Sequence, residues 1–119
     1  MSHRYKSYAA ETGIVYRYFF ESRRSLVRPA GLGLGSDYIF VTTADQGLPF
    51  ALRVFVSQAA VAVWGAAHGR DLDSSEQYAL AKMRLFRAFD ELENPREESL
   101  NLVVDETNLE GLLDALDLA

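Results

Sequence analysis

YIFVTTADQGLPFALRVFV, residues Tyr38 to Val56, is the stretch that decides the fold. Its two ends, YIFVTTA and FALRVFV, are rich in the β-branched and aromatic residues that favour strands. The segment between them contains Asp45 and Gly47, and both residue types are common in turns. The pattern therefore predicts a β-hairpin with strands at residues 38–44 and 50–56.

The segment before this hairpin has a second strand pattern, IVYRYFFE, at residues 14–21. Alternation directs Tyr16, Tyr18 and Phe20 towards the core and Arg17 outward. A helix that continues through Leu26 remains an alternative, because ESRRSL is not typical of a strand. The following PAGLGLGSD is predicted to be a flexible loop, and residues 1–12 are predicted to be loosely ordered because they show no periodicity.

Two helices are predicted after the hairpin. Ser57 can cap a helix over QAAVAVWGAAH, and Gly69 can end it, although a fourth strand at residues 57–68 remains open. The stronger pattern runs from Ser74 to Glu93, with Asp73 and Ser74 as candidate caps. Its apolar stripe consists of Tyr78, Ala81, Leu85, Phe89 and Leu92, widened by Met83 and Phe86.

The C-terminal part predicts one more strand and one more helix. SLNLVV, residues 99–104, has the composition of a strand, and Thr107 with Glu110 has the spacing of a capping box for NLEGLLDALDL. The leucines of this acidic helix form one face, which packs on its own sheet or lies in a partner's groove.

The predicted order is β-β-β-α-α-β-α. Such an order is typical of an α+β fold, here a two-layer domain with a mostly antiparallel sheet and helices packed on one face. The last strand follows two helices, so it can pair in parallel or at an edge. We expect residues 13–119 to form a single domain, because 119 residues with 49% hydrophobic content suffice for one core.

Composition excludes several classes of function. There is no cysteine, so disulfides, thiolate metal sites and a cysteine nucleophile are excluded. No apolar run reaches the roughly 20 residues of a membrane span, and we expect a soluble, cytoplasmic protein. The net charge of −5 is uneven: residues 1–30 carry six basic and two acidic side chains, whereas residues 90–119 carry ten acidic and one basic. This polarity favours contact with a partner or with a second copy.

The glycine-rich segment GLGLGS does not predict a nucleotide site. A dinucleotide fingerprint needs its third glycine one place after Gly35, where Ser36 stands, and needs a helix directly afterwards. A phosphate loop needs a Gly-Lys pair, which the chain lacks. No cofactor is therefore predicted.

Metal binding and catalysis have weak support in the sequence. In HGRDLD, His68, Asp71 and Asp73 are metal ligands in principle, but a polar turn between helices with capping carboxylates is the favoured interpretation, and DLDSSE has Glu76 where a calcium loop needs glycine. We predict no metal site and no catalytic residue. If a small-molecule or active-site pocket exists, the candidates are Trp64, His68, Arg70, Asp71 and Asp73.

The first functional hypothesis is a non-enzymatic regulatory or accessory protein that acts through protein contacts, as a homodimer or with another protein. The interface candidates are Arg17, Arg23, Arg24 and Arg28. The alternative is nucleic-acid binding by the same arginines with Tyr5, Tyr8 or Tyr16, because arginine contacts phosphates and aromatic rings stack on bases. An acidic chain that lacks the RNA-recognition motif disfavours this alternative.

Overall fold

The computed structural model describes residues 4–28, 31–97 and 102–116. The strands and helices in these ranges are β1 (Lys6–Ala9), β2 (Val15–Arg28), β3 (Gly33–Ala44), β4 (Phe50–Ser57), α1 (Gln58–His68), α2 (Ser74–Glu91), β5 (Leu102–Val104) and α3 (Leu109–Ala115). The predicted order of elements therefore lacked one strand, β1.

The strands of the described residues form a single sheet in the order β1-β2-β3-β4-β5, which curls into a half-barrel. The first three pairings are antiparallel and β4 pairs with β5 in parallel. The α+β class and the mostly antiparallel sheet are thus confirmed, and the last strand is both parallel and at an edge. The two-layer arrangement remains a prediction.

The hairpin that decides the fold is present as β3 and β4, with Thr42 opposite Phe50 at its closed end. Asp45 and Gln46 turn the chain with φ of 47° and 64°, a conformation that Asp and Asn adopt more readily than most residues. The Asp45 carboxylate also accepts a hydrogen bond from the backbone N–H of Val15 at 3.0 Å. This hydrogen bond connects the turn to the start of β2.

The second strand is longer than predicted. β2 pairs with β3 as far as Arg28, which lies opposite Gly33, so the alternative of a helix through Leu26 is wrong. Backbone pairing along the whole of β3 outweighs the weak local preference of ESRRSL. The predicted glycine loop is also wrong from Gly33 onward, because β3 begins there; Pro29 and Ala30 lie outside the described residues.

The prediction of a loosely ordered start is wrong for Lys6–Ala9, which forms β1 at the edge of the sheet beside β2. Side-chain contacts with α2 hold this short strand. The Tyr8 ring stacks on Phe86 with centroids 4.5 Å apart, and its hydroxyl donates a hydrogen bond to Asp90 Oδ2 at 2.6 Å. A polar four-residue strand has too little periodicity to be recognised without these distant partners.

We expect the Tyr8–Asp90 contact to make the free energy of unfolding depend on pH in the alkaline range. The Asp90 carboxylate accepts a hydrogen bond from the Tyr8 hydroxyl, which favours the protonated phenol and raises the pKa of Tyr8 from 10.0 to about 12. Because the folded-state pKa is the higher one, this stabilisation is complete below pH 10 and is lost as the pH rises through about 12. Unfolding should be followed across this range for the native chain and for Tyr8→Phe. A native chain that loses no more stability than Tyr8→Phe would contradict the prediction.

The helices begin where polar side chains cap them. The Ser57 hydroxyl accepts a hydrogen bond from the N–H of Ala60, and Gly69 ends α1 with φ of 71°, so helix is correct for residues 58–68. α2 begins with a capping box between Asp73 and Glu76 and ends two residues before the predicted Glu93.

The predicted capping box of α3 is wrong. The Thr107 hydroxyl donates to Asp105 instead, and Asn108 is the N-cap, without a side-chain capping bond. The Asn108 side-chain amide makes other hydrogen bonds instead of capping α3. Its nitrogen donates to the carbonyl of Val103 at 2.8 Å, and its oxygen accepts from the Asp105 backbone N–H. Residues 98–101 and 117–119, which include parts of the predicted strand and helix, lie outside the described residues.

The core is one buried cluster that contains residues of the sheet and of all three helices. Alternate strand residues such as Tyr16, Phe40 and Val54 belong to the same buried cluster as Trp64 and Leu113. The stripe of α2 faces this cluster as predicted, with Ala81, Leu85 and Phe89 fully buried. We call this side of the sheet the core face and the other side the opposite face.

Candidate functional site

A β-bulge in β2 decides which way the following side chains point. Phe20 lies opposite Phe40 and Ser22 lies opposite Ile39, so Glu21 has no cross-strand partner. The extra residue resets the alternation, as β-bulges do. Phe20 points to the core face as predicted, but its side chain is 39% exposed because it lies at the rim of the core.

The bulge divides the four candidate arginines between the two faces. Arg23 lies opposite Tyr38 on the core face, with its guanidinium carbon 5.9 Å from the ring centroid. Arg17, Arg24 and Arg28 alternate onto the opposite face. Arg17, Arg23 and Arg24 are exposed. The four side chains therefore do not form one continuous surface.

Arg28 is part of a largely buried cluster on the opposite face. Its Nη2 lies 2.8 Å from Asp37 Oδ1, and the two side chains are only 12% and 3% exposed. The same guanidinium covers the ring of Phe55 at 4.8 Å from the centroid. The contacts of Arg28 thus explain it as a structural residue.

The outer edge of β2 is open in the part of the chain that the structure describes. β1 pairs with β2 only from Val15 to Tyr18. From Ser22 to Val27, β2 has β3 on one side, and no described residue pairs with its other side. Val27 is 70% exposed at this edge. An edge strand of this kind presents unpaired N–H and C=O groups to solvent.

The other edge of the sheet is covered by side chains. The carbonyl oxygen of Val103 in β5 accepts hydrogen bonds from Asn108 Nδ2 at 2.8 Å and from Arg84 Nε at 3.3 Å. Asparagine and arginine thereby occupy an acceptor that a further strand would need. The two edges of the described sheet therefore differ in their capacity to add a strand.

An aromatic cleft of about 470 Å³ lies beside the open edge. It is lined by Phe20, Arg23, Tyr38, Ser74, Ser75 and Tyr78. Burial raises the pKa of both Tyr38 and Tyr78, so their hydroxyls remain protonated at neutral pH. A second cavity of about 180 Å³ shares Phe20 and Tyr78 with this cleft and is also lined by Arg4 and Lys6.

The surroundings of the two cavities are rich in cations. Lys82 lies 5.7 Å from the ring centroid of Tyr78, and its pKa is lowered by burial and by the nearby charge of Lys6. Within the described ranges, none of Arg4, Lys6, Arg23 and Lys82 forms an ion pair with a carboxylate. The positive potential here is therefore available to an anionic ligand.

The second predicted site, around Trp64 and His68, is held together by structural contacts. The His68 ring stacks on Trp64 with centroids 4.2 Å apart, and Arg70 lies over the indole at 5.1 Å. His68 Nδ1 is 2.9 Å from the carbonyl oxygen of Trp64, which only accepts, so Nδ1 carries the hydrogen. His68 Nε2 lies 3.5 Å from Glu110 Oε1.

The polar turn between α1 and α2 stabilises the N-terminus of α2. Both terminal guanidinium nitrogens of Arg70 donate to Glu76, at 2.9 and 2.8 Å, and the Asp73 backbone N–H donates to the same carboxylate. These bonds lower the pKa of Glu76 to about 2. Asp71 packs against Gly65, where a Cβ would lie 2.7 Å from Asp71 Oδ1. The functional prediction for these residues remains open, but capping and stacking account for their positions.

The cavity next to Trp64 is small. It measures about 90 Å³, and of the five predicted pocket residues only Trp64 lines it. The indole Nε1 is buried and has no hydrogen-bond partner among the described residues. Such a volume holds about three waters at roughly 30 Å³ each, which is below the size of ordinary ligand pockets.

No protein-family model, curated protein or solved structure matches this chain significantly. None of the helices in the described ranges is long and apolar enough to span a lipid bilayer. Within residues 4–28, 31–97 and 102–116, no three His, Asp or Glu side chains are grouped so that they could hold a metal ion. The geometry of the open edge and of the cleft is therefore the basis for any functional inference.

Sequence reasoning missed most of the cleft. The sequence predicts Tyr38 only as a strand residue and Tyr78 only as part of an apolar stripe, and nothing in it marks Ser75 as a site residue. The aromatic content of β2 and the tyrosine in the first turns of α2 were visible signals. The bulge that leaves Phe20 exposed was not, because it depends on the pairing of β2 with β3.

Proposed function

We propose that this chain is a non-enzymatic binding protein that captures an acidic, extended segment of another protein as an additional strand beside β2. The observation that carries the proposal is the open edge from Ser22 to Val27, with Arg23 on one face and Arg24 on the other. Strand addition of this type takes its affinity from main-chain hydrogen bonds and its specificity from alternate side chains.

The charges of the edge favour an acidic segment. In an added strand, side chains directly opposite those of β2 lie about 5 Å away, and opposite-charge pairs contribute roughly 0.2–1 kcal/mol each. Because Arg23 and Arg24 point to opposite faces of the sheet, acidic side chains are favoured on both faces of the added strand. Exposed arginines also oppose indiscriminate pairing, because a strand without acidic residues leaves them uncompensated.

Pairing of this edge with the same edge of a second copy is disfavoured. It would bring the Arg23 and Arg24 side chains of both copies together, and like charges that face each other are destabilising. The homodimer suggested by the sequence therefore requires that a second copy supply an acidic segment. Our proposal also includes the cytoplasmic location suggested by the sequence, with which the absence of cysteine is compatible.

Fluorescence anisotropy with a labelled octapeptide in which pairs of glutamate alternate with pairs of valine, so that both faces of the extended peptide carry glutamate, tests the proposal. We expect saturable binding at physiological salt. The double variant Arg23→Glu and Arg24→Glu should weaken it by at least about tenfold, because two favourable pairs become repulsive. A second peptide, N-methylated on the amides of one edge, should bind weakly, because methylation removes the main-chain donors that strand pairing needs.

The matched control is the double variant Arg17→Glu and Arg87→Glu, which changes the net charge equally but leaves the open edge intact. It should bind the acidic peptide like the native chain, since salt screens distant charges. Equal binding by the edge variant and this control would refute the placement. Binding of a single-stranded oligonucleotide but not of the peptide would instead support the nucleic-acid alternative. Light scattering of the free chain shows whether a second copy is the partner.

A further inference from the structure

We infer that the aromatic cleft receives an aromatic side chain of the bound segment, and that Arg23 pairs with a carboxylate two residues away from it. This inference rests on the proposed function and deepens it. It names the recognised chemistry as an aromatic-x-acidic sequence in an extended segment. Phe20 and Arg23 connect the two features, because both line the cleft and both belong to β2.

The ring arrangement of the cleft suits one more aromatic ring. Phe20 and Tyr78 meet edge-to-face with centroids 5.1 Å apart, and Tyr38 lies 6.3 Å from Tyr78. Aromatic pairs are favourable at centroid separations of 4.5–7 Å, so an entering ring finds partners on more than one side. The exposed part of Phe20 would be covered by such a ring, which removes apolar surface from water.

The positive charge around the cleft favours an acidic residue close to the bound aromatic side chain. Arg23 lines the cleft and Lys82 lies 5.7 Å from the ring centroid of Tyr78, and neither has a carboxylate partner among the described residues. Two acidic residues at the start of α2 are engaged in other contacts, since Asp73 caps the helix and Glu76 is bound to Arg70. A carboxylate on the bound segment therefore meets the positive charges of Arg23 and Lys82.

The spacing follows from strand geometry. Side chains of a strand return to the same face every second residue, about 6.6 Å further along. After the bulge, Arg23 is the next residue of β2 on the core face beyond Phe20. Two successive core-facing residues of an added strand thus lie near the cleft and near Arg23, which gives the aromatic-x-acidic spacing.

Two forms of the acidic octapeptide test the inference, one with phenylalanine and one with alanine at a central valine position, which lies two residues from a glutamate on the same face. We expect the native chain to bind the phenylalanine form about tenfold more tightly, which corresponds to about 1.4 kcal/mol. Ser75→Trp places a large side chain in the cleft from an exposed position. In this variant both peptides should bind with the affinity that the alanine peptide has for the native chain.

Ala62→Trp, at an exposed position of α1, is the matched control and should keep the tenfold preference. Phe20→Ala is a second cleft variant that should lose the preference, and thermal unfolding checks that each variant is folded. Equal binding of both peptides to the native chain, or a preference that survives Ser75→Trp, overturns the inference while strand addition stands. Failure of the alanine peptide to bind the native chain overturns the proposed function itself.

Discussion

Asp37→Ala should lower the free energy of unfolding by about 3 kcal/mol, because it removes a buried carboxylate from the largely shielded Arg28 guanidinium. Asp37 is 3% exposed and lies 2.8 Å from Arg28 Nη2. A largely shielded charge that loses an ion-pair partner keeps its desolvation cost with less compensating attraction. Urea unfolding monitored by circular dichroism measures the difference.

The control is a variant in which both charges are removed, Asp37→Leu with Arg28→Met. Replacing a buried ion pair by apolar side chains is often close to neutral, so this double variant should recover most of the loss. The Met side chain can still cover Phe55, which now lies under the guanidinium. A loss below about 1 kcal/mol for Asp37→Ala would show that water or other groups compensate Arg28.

Gly35→Val should be at least as harmful, for a steric reason. A Cβ at this position would lie 2.3 Å from Phe55 Cζ and 2.5 Å from the carbonyl oxygen of Val56. Phe55 is fully buried and the carbonyl belongs to the backbone of β4, so neither neighbour can move at low cost. Overpacking of this kind costs about 1–3 kcal/mol, and we expect the upper end or beyond, with partial unfolding at 37 °C.

Gly111→Ala is the matched control and should have the opposite sign. Nothing lies within 4 Å of the Cβ position at Gly111, which is an exposed residue inside α3. Alanine in a helix interior is more favourable than glycine by roughly 0.5–1 kcal/mol. Similar melting temperatures for Gly35→Val and the native chain would contradict the close packing of β3 on Phe55.

The loop predicted at residues 29–37 illustrates a limit of sequence reasoning. Glycines at alternate positions are typical of a flexible connector, but Gly35 lies inside β3 because the Phe55 ring occupies the space of a side chain there. Phe55 is twenty positions further along the chain. A local pattern does not contain that contact, so propensity favoured the loop.

The arginines of β2 show the same limit at the functional site. Their number and their excess over acids were evident from composition, and so was the suggestion of a contact with an acidic partner. Their division between two faces depends on the bulge at Glu21, and the burial of Arg28 depends on Asp37. The proposed binding site therefore contains Arg23 and Arg24 together with the open edge, and not all four arginines.

The sequence by itself determined the elements whose signal is local. The hairpin of β3 and β4, the first cap at Ser57, the stop at Gly69 and the apolar stripe of α2 all follow from side-chain periodicity, turn chemistry and capping. These features depend on residues within a few positions of one another. Only the tertiary structure decided the edge strand β1, the bulge, the open edge of β2 and the cleft between Phe20 and Tyr78. Each of these arises where residues distant in the chain pair or pack, and their free energy depends on partners that no local pattern encodes.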